Sequence, residues 1–354
     1  MTSATRQVGE VRGELVGAGF GARLRRWYRA SARVLPWRGV EDAYATWVSE
    51  VMLQQTRVAT VMERYTEFME RFPTVEALAA AEESEVLALW SGLGYYRRAR
   101  MLHRGAQHVV RELGGAMPRT AAELKALPGV GAYTSAAIAS IAFGESVAVV
   151  DGNVERVLLR VLGEGEEKTA SAKARLMQVA QSLMPAARRG ENAAGEHNQA
   201  MMELGATVCV PKGPLCGACP VRELCRTRGE HATLKRAAML QRRVACLLLR
   251  RTRGGVDEVL LERRAADASL MAGMLELPPL RLEAVEGHEP ALRVKHSITN
   301  TNYAVEVFAD AALQSKVAAA KSALAWVAAS ELRGVPLTGL ARKVLLKQEA
   351  GSRG

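Results

Sequence analysis

The chain has 354 residues, 49% of them hydrophobic, with 48 Lys and Arg against 37 Asp and Glu and a formal net charge of +11. That length allows two domains with buried cores, while no stretch is apolar enough to span a bilayer and none reads as a secretory signal, so a soluble cytoplasmic protein with reduced thiols is expected. The excess of positive charge favours a polyanionic partner, although charge by itself does not name one.

Residues 1–22, rich in Gly and charge, read as a loose tail. From 23 to 208 the pattern is helical with short connections. Over 44–72 apolar residues recur at Trp47, Val48, Val51, Met52, Val58, Met62, Tyr65 and Met69, a helical period in a run long enough for more than one helix. Pro73 ends it, and Thr74 is placed to cap a helix over 75–80. Gly92 and Gly94 interrupt the pattern before a basic helix that starts near Tyr96. Its residues Arg97, Arg98, Arg100 and Arg104 read either as a solvated face or as phosphate contacts. Further helices are predicted over 120–127, 133–142, 152–162, 170–183 and 198–208. Residues 226–243 carry Arg226, Arg228, Lys235, Arg236, Arg242 and Arg243 against one acid, Glu230, and read as a basic linker. Beyond it the pattern changes to strands over 244–250, 256–262 (after the turn-prone Gly254-Gly255) and 303–308, with helices over 323–332 and 338–347. This predicts a smaller α+β domain over 244–346, followed by a tail, 347–354.

Four of the five cysteines, Cys209, Cys216, Cys219 and Cys225, fall within seventeen residues with the spacing C-x6-C-x2-C-x5-C. The only other one is Cys246, which disfavours a disulfide framework. Four soft thiolates on a short loop suit a 4Fe–4S cluster or a tetrahedral zinc. Zinc ribbons pair two C-x2-C units, and only Cys216 and Cys219 form one here, which favours iron–sulfur.

Between two predicted helices lies Leu127-Pro128-Gly129-Val130-Gly131. Two glycines at that spacing let the backbone turn tightly, and the helix that follows offers free N–H groups and the positive end of its dipole, as a phosphate cradle does. An ordinary Gly-rich helix–helix turn reads the same way. Some twenty residues on stands Asp151, in Val149-Val150-Asp151-Gly152-Asn153.

Taken together, this hairpin, the downstream Asp and the cysteine loop resemble the helix-hairpin-helix DNA glycosylases of the endonuclease III superfamily. Four further strings bring the chain closest to the adenine DNA glycosylases (MutY family): Leu35-Pro36-Trp37-Arg38, Ser49-Glu50-Val51-Met52-Leu53-Gln54-Gln55-Thr56, Gly92-Leu93-Gly94-Tyr95-Tyr96 and Asn198-Gln199-Ala200-Met201-Met202. The resemblance runs from about residue 23 to the end and is strongest before 226. It implies a mainly α helix-hairpin-helix glycosylase region with an iron–sulfur loop over 23–225, followed by a Nudix-like domain, one 4Fe–4S cluster held by the four cysteines, and double-stranded DNA as partner of a monomer. The implied activity is removal of adenine mispaired with 8-oxoguanine or guanine.

Breaking an N-glycosidic bond through an oxocarbenium-like sugar calls for an acid that neutralises the leaving base and a carboxylate that steadies the positive charge, on a base turned out of the duplex. The resemblance gives these roles to Glu50 and Asp151. By itself Glu50 reads as an exposed helix residue and Asp151 as the N-cap of the helix after Gly152. Tyr133 stands where the relatives that also cut the strand carry a Schiff-base Lys, so the resemblance implies a monofunctional enzyme that leaves an abasic site. Asn153 matches an Asn beside the catalytic Asp. Arg33, Trp37, Arg38, Leu53 and Gln199 match residues of the adenine pocket, and Gln55, Thr56 and Tyr95 match residues that wedge into the stack and touch the opposite base. Leu127, Gly129, Val130, Gly131 and Lys212 are the candidate phosphate contacts.

In the second domain Leu260-Leu261-Glu262-Arg263-Arg264 and Gly273-Met274-Leu275-Glu276-Leu277-Pro278 resemble an early strand and Gly-rich turn of the Nudix-like domain. The acidic box that holds magnesium in Nudix hydrolases is missing from 279–290, so lesion reading rather than nucleotide hydrolysis is expected. Ile298-Thr299-Asn300 falls where many relatives carry a Phe-Ser-His tip that reads 8-oxoguanine. Two other readings compete: an endonuclease III-like glycosylase and lyase for oxidised pyrimidines, opposed by Tyr133, and an iron–sulfur DNA-binding protein with a dead pocket, opposed by Glu50 and Asp151.

Overall fold

In a computed structural model the described residues are 13–351, apart from 17, 187–189, 235–237, 266, 269–270, 319–323 and 333. Lys235 and Arg236 of the basic linker, most of the N-terminal tail and the last three residues lie outside them. The chain divides into two compact units that do not follow its linear order. One comprises Met1–Gln55, Phe72–Ala79 and Arg104–Lys235, the other Thr56–Arg71, Ala80–His103 and Arg236–Gly354.

The described chain before Lys235 is mainly helical; Thr56–Arg71 and Ala80–His103 of it belong to the second unit and the rest to the first. Helix α1 (Phe20–Ser31) buries Phe20 and Leu24, and Leu15 is also buried. These anchors correct the reading of 13–22 as loose tail: two apolar side chains outweigh the Gly-rich composition around them. Asp42 caps α2 (Ala43–Leu53) by accepting from the amides of Tyr44 and Ala45. Every residue of α2 from Ala43 to Met52 is buried, so this helix has no solvent face. The run 44–72 is two helices, because the backbone leaves helical geometry at Gln54 and turns left-handed at Gln55 (φ 55°) before α3 (Val58–Arg71). Thr120 and Glu123 form a reciprocal cap on the short α7 (Ala121–Leu124), the intervening helices being α4 (Val75–Ala80), α5 (Glu83–Leu89) and α6 (Arg97–Leu113). A turn through Gly129 (φ 77°) then leads into α8 (Ala132–Phe143). Helices α9 (Gly152–Leu162), α10 (Ala170–Ser182) and α11 (Ala193–Thr207) meet α1 in one core through Val154, Val157, Leu158, Leu176, Val179, Met201 and Leu204.

Besides α3, α5 and the start of α6, the described residues of the second unit include two four-stranded sheets. The first has the order β5 (Pro279–Leu280), β1 (Leu240–Leu247), β7 (Thr301–Phe308), β6 (Leu292–Ile298), with β1 and β7 parallel. The second has β2 (Arg250–Arg253), β3 (Val256–Arg263) and β4 (Leu275–Glu276), with β8 (Leu324–Ala328) also on β3. Successive residues of β1 point to opposite faces and both faces are covered: Ala245 and Leu247 pack with Leu260, Leu280 and Phe308, while Cys246 packs with Val307 and with Ala341 and Val344 of α12 (Gly339–Gly351). The helix expected over 323–332 is corrected, since its described part is β8 and a 3-10 turn, Ala329–Glu331. Its Ala-rich sequence favours helix locally, but hydrogen bonding beside β3, with Trp326 opposite Leu260, decides the conformation.

Candidate active site

Glu50 is 6% exposed near the C-terminal end of α2, in surroundings that favour its neutral form. Burial drives its carboxyl from 4.5 up to about 7, a hydrogen bond from Tyr133 pulls the other way, and the charge of Asp151 adds to the rise. The Tyr133 hydroxyl, on the first turn of α8, donates to Glu50 Oε2 at 2.7 Å and lies 3.4 Å from the Met202 sulfur. Burial and the two acids raise the phenol well above its usual range, so it stays a proton donor. The turn through Gly129-Val130-Gly131 ends at the start of α8 and so delivers Tyr133 to the acid. Leu127 and Val130 of this hairpin are buried and hold its shape.

Asp151 caps α9. Its Oδ1 accepts from the amides of Asn153 (2.9 Å) and Val154 (2.7 Å), and its Oδ2 accepts from Asn153 Nδ2 (3.0 Å). Arg156 donates in turn to Asn153 Oδ1 at 2.8 Å and to the carbonyl of Gly205. A Cβ on Gly205 would stand 2.6 Å from Asn153 Cβ, so a bare backbone on α11 lets the Asp151–Asn153 pair sit where it does.

Three of the five residues expected in the pocket are tied down by side chains that sequence reasoning missed. Glu203 on α11 is 1% exposed and binds Arg33 through both carboxyl oxygens (2.8 and 2.7 Å) and Arg38 at 2.6 Å. Burial pushes its carboxyl up, but the bonds from Arg33 and Arg38 outweigh this and hold it at about 2. Arg38 also lies over the ring of Tyr28, whose hydroxyl donates to Gln199 Oε1 at 2.8 Å. An acid in the expected helix 198–208, among Ala200, Met201, Met202 and Leu204, was the available signal for Glu203, because a buried acid needs a cationic partner. Tyr28, 171 residues from Gln199, gave no local signal. Trp37 and Leu53 are half-buried.

Two of the three wedge candidates and one residue of the expected lesion-reading tip share a backbone feature. Gln55, Tyr95 and Thr299 are three of the five described non-glycine residues with positive φ (55°, 49° and 53°). Side chains rarely accept this conformation, and where they do the position tends to be functional. Thr299 and Asn300, both exposed, form the two-residue turn between β6 and β7, flanked by Ile298 paired with Thr301. Of the arginines after Tyr95, Arg98 and Arg100 are engaged inside the fold, Arg100 with Glu83 and the carbonyl of Ala272, whereas Arg97 and Arg104 are exposed.

Cys209, Cys216, Cys219 and Cys225 all line one small opening, together with Arg160 and Arg228. Among the described residues no three metal-binding side chains converge to hold a single ion. The donors fit thiolates: Arg160 Nη1 lies 3.3 Å from Cys209 Sγ, and the Arg228 amide 3.4 Å from Cys225 Sγ. Burial, aided by the three neighbouring sulfurs, lifts the free Cys219 thiol to about 11, so a bound cation would be needed to make this group of thiolates stable. Lys212, in the loop between the first two cysteines, is exposed.

Residues 48–182 match the model of the HhH-GPD superfamily of base excision DNA repair proteins. The human adenine DNA glycosylase is 54% identical over 219 residues, which cover 59% of this chain and 39% of that protein. The protein of the same description from Mycolicibacterium smegmatis is 43% identical over 204 residues, covering 57% of this chain and 67% of that one. This chain thus spans less than half the length of its human relative. A solved thermostable thymine-DNA glycosylase superposes with a TM-score of 0.54 at 28% identity, over 62% of this chain and 97% of that structure. With the helix-hairpin-helix, the buried acid and the capping Asp in place, these relationships establish that the chain belongs to the adenine DNA glycosylase family.

Proposed function

We propose that the protein is a monofunctional adenine DNA glycosylase that removes adenine mispaired with 8-oxoguanine or guanine from double-stranded DNA and leaves an abasic site. The observation that carries this reading is Glu50, a buried carboxyl raised to about 7, hydrogen-bonded by Tyr133 at 2.7 Å and within electrostatic reach of Asp151. At neutral pH a large fraction of Glu50 holds its proton, ready to neutralise the leaving adenine. Asp151, both of whose oxygens accept hydrogen bonds, offers negative charge to the oxocarbenium-like sugar, and Asn153 fixes its orientation. Tyr133 has no amine with which to form a Schiff base. Arg33, Trp37, Arg38, Leu53 and Gln199 form the adenine pocket, braced by Glu203 and Tyr28.

Gln55, Thr56 and Tyr95 are assigned to the opposite base, and Ile298, Thr299 and Asn300 of the Nudix-like domain to its oxidised edge. Leu127, Gly129, Val130, Gly131 and Lys212 are assigned to phosphates. The four cysteines hold one 4Fe–4S cluster, supported by the opening they share and the donors aimed at Cys209 and Cys225. The cluster shapes this loop for DNA, since no step of the hydrolysis takes an electron. No helix among the described residues is long and apolar enough to cross a membrane. As separate assignments, the enzyme acts as a monomer in the cytoplasm.

The test is adenine release, under single-turnover conditions, from duplexes carrying A opposite 8-oxoguanine, G, C or T, with strand scission scored before and after added base. Release from the first two duplexes, with scission only after base, is expected. Scission without base, or release of oxidised pyrimidines instead, supports the glycosylase-lyase reading.

A further inference from the structure

The loop that presents Tyr95 holds an unusual backbone. Gly92, Gly94 and Tyr95 all have positive φ (100°, 69° and 49°), and Tyr95 is 46% exposed. Two glycines accept such geometry freely, but a tyrosine does so only when its surroundings hold it there. The holding group is the side chain of Arg98, on the first turn of α6. Its Nη2 lies within hydrogen-bond distance of three oxygens: the hydroxyl of Thr56 (3.1 Å) and the carbonyls of Leu93 (3.1 Å) and Gly94 (3.0 Å). Its guanidinium lies 5.5 Å from the ring centroids of both Trp90 and Tyr95. Trp90 closes the same turn by donating from Nε1 to the Gly94 carbonyl, and Thr56 closes it from the other side by donating to the Leu93 carbonyl. Burial lowers Arg98 to about 10, which leaves it charged at neutral pH. No phosphate is needed to explain this side chain.

We propose that Arg98 is a positioning residue for recognition of the base opposite adenine, locking Thr56 and Tyr95 into one constellation before DNA arrives. This rests on the assignment of Thr56 and Tyr95 to that base. A planar guanidinium can bridge several carbonyls while stacking between two rings, and the compact ammonium of a lysine cannot do both.

The experiment compares single-turnover adenine excision from A:8-oxoguanine and A:C duplexes by the full-length wild type, Arg98→Lys, Arg98→Gln and Tyr95→Ala. The ratio of the two rates does not depend on the fraction of active protein, so it can be read even from a poorly folding variant. Both Arg98 variants are expected to compress this ratio by about tenfold, most of it through the 8-oxoguanine duplex. The pH dependence of excision, set by Glu50, should be unchanged. If the Arg98 variants slow both duplexes equally while Tyr95→Ala compresses the ratio, Arg98 serves only the fold and the proposal fails. If Tyr95→Ala also leaves the ratio intact, the assignment of this loop to the opposite base is wrong, and the role of Arg98 falls with it.

Discussion

Replacing Glu50 by Gln separates catalysis from stability, and the structure fixes the sign of both effects. The change keeps size and polarity and preserves an acceptor for the Tyr133 hydroxyl, but removes the titrating proton. If Glu50 is the general acid, single-turnover adenine release should fall by roughly a hundredfold to ten-thousandfold, with duplex binding retained. The stability effect follows from the elevated carboxyl. An acid that titrates at 4.5 when unfolded and at about 7 when folded holds a proton in the native state that the unfolded chain has lost. Its contribution is therefore fully present below pH 4.5 and is lost as pH rises through 7, where ionisation inside the fold costs roughly 3 kcal/mol. Glu50→Gln removes that cost. The variant and the wild type should be close in stability at pH 5, and the variant should be ahead by up to about 3 kcal/mol at pH 8. At ~2–4 °C per kcal/mol for a domain of this size, the difference in melting temperature between the two proteins should open by on the order of 6–12 °C across that range. Thermal melts of both proteins at pH 5, 6, 7 and 8 check this. A stability difference that does not change with pH would falsify the claim that Glu50 is held neutral by burial, and near-normal excision by the variant would remove it from the chemistry.

Two further outcomes follow from the same site and from the cysteine loop. The Tyr133 hydrogen bond favours ionised Glu50, so Tyr133→Phe should move the alkaline limb of the excision profile to higher pH by about one unit, as a charge-assisted bond is worth roughly 1.5–3 kcal/mol; a shift to lower pH contradicts the geometry. Protein made with ample iron should contain about four iron and four sulfide per chain, and Cys219→Ser should lower both that content and the yield of folded protein; stoichiometric zinc in the wild type would overturn the cluster assignment.

The sequence by itself determined what is written in local strings. The spacing of Cys209, Cys216, Cys219 and Cys225, the glycines of the hairpin and the string around Glu50 each lie within a few residues, so their chemistry is readable in one dimension. Asp151 likewise reads as a cap from its neighbours, and it is one. Helical periodicity located most of the first unit for the same reason, since each turn of helix is closed by bonds between residues four apart. It failed where distant neighbours decide. Residues 324–328 are helix formers in isolation and a strand beside β3, because pairing across 60 or more residues outweighs weak local preference.

The tertiary structure alone decided the properties that make the site work. Glu50 sits on a helix with no exposed face, so its raised carboxyl comes from what surrounds α2 and from Tyr133, 83 residues away. Arg33 and Arg38 are held by Glu203, about 170 residues on, and Gln199 by Tyr28. Arg98 reads in sequence as one cation in a basic run, and only packing shows its side chain turned inward onto the loop that carries Tyr95. Residue type is a local property and can be read along the chain. Burial, charge state and orientation depend on groups brought together by folding, and they are fixed only when the chain has closed around them.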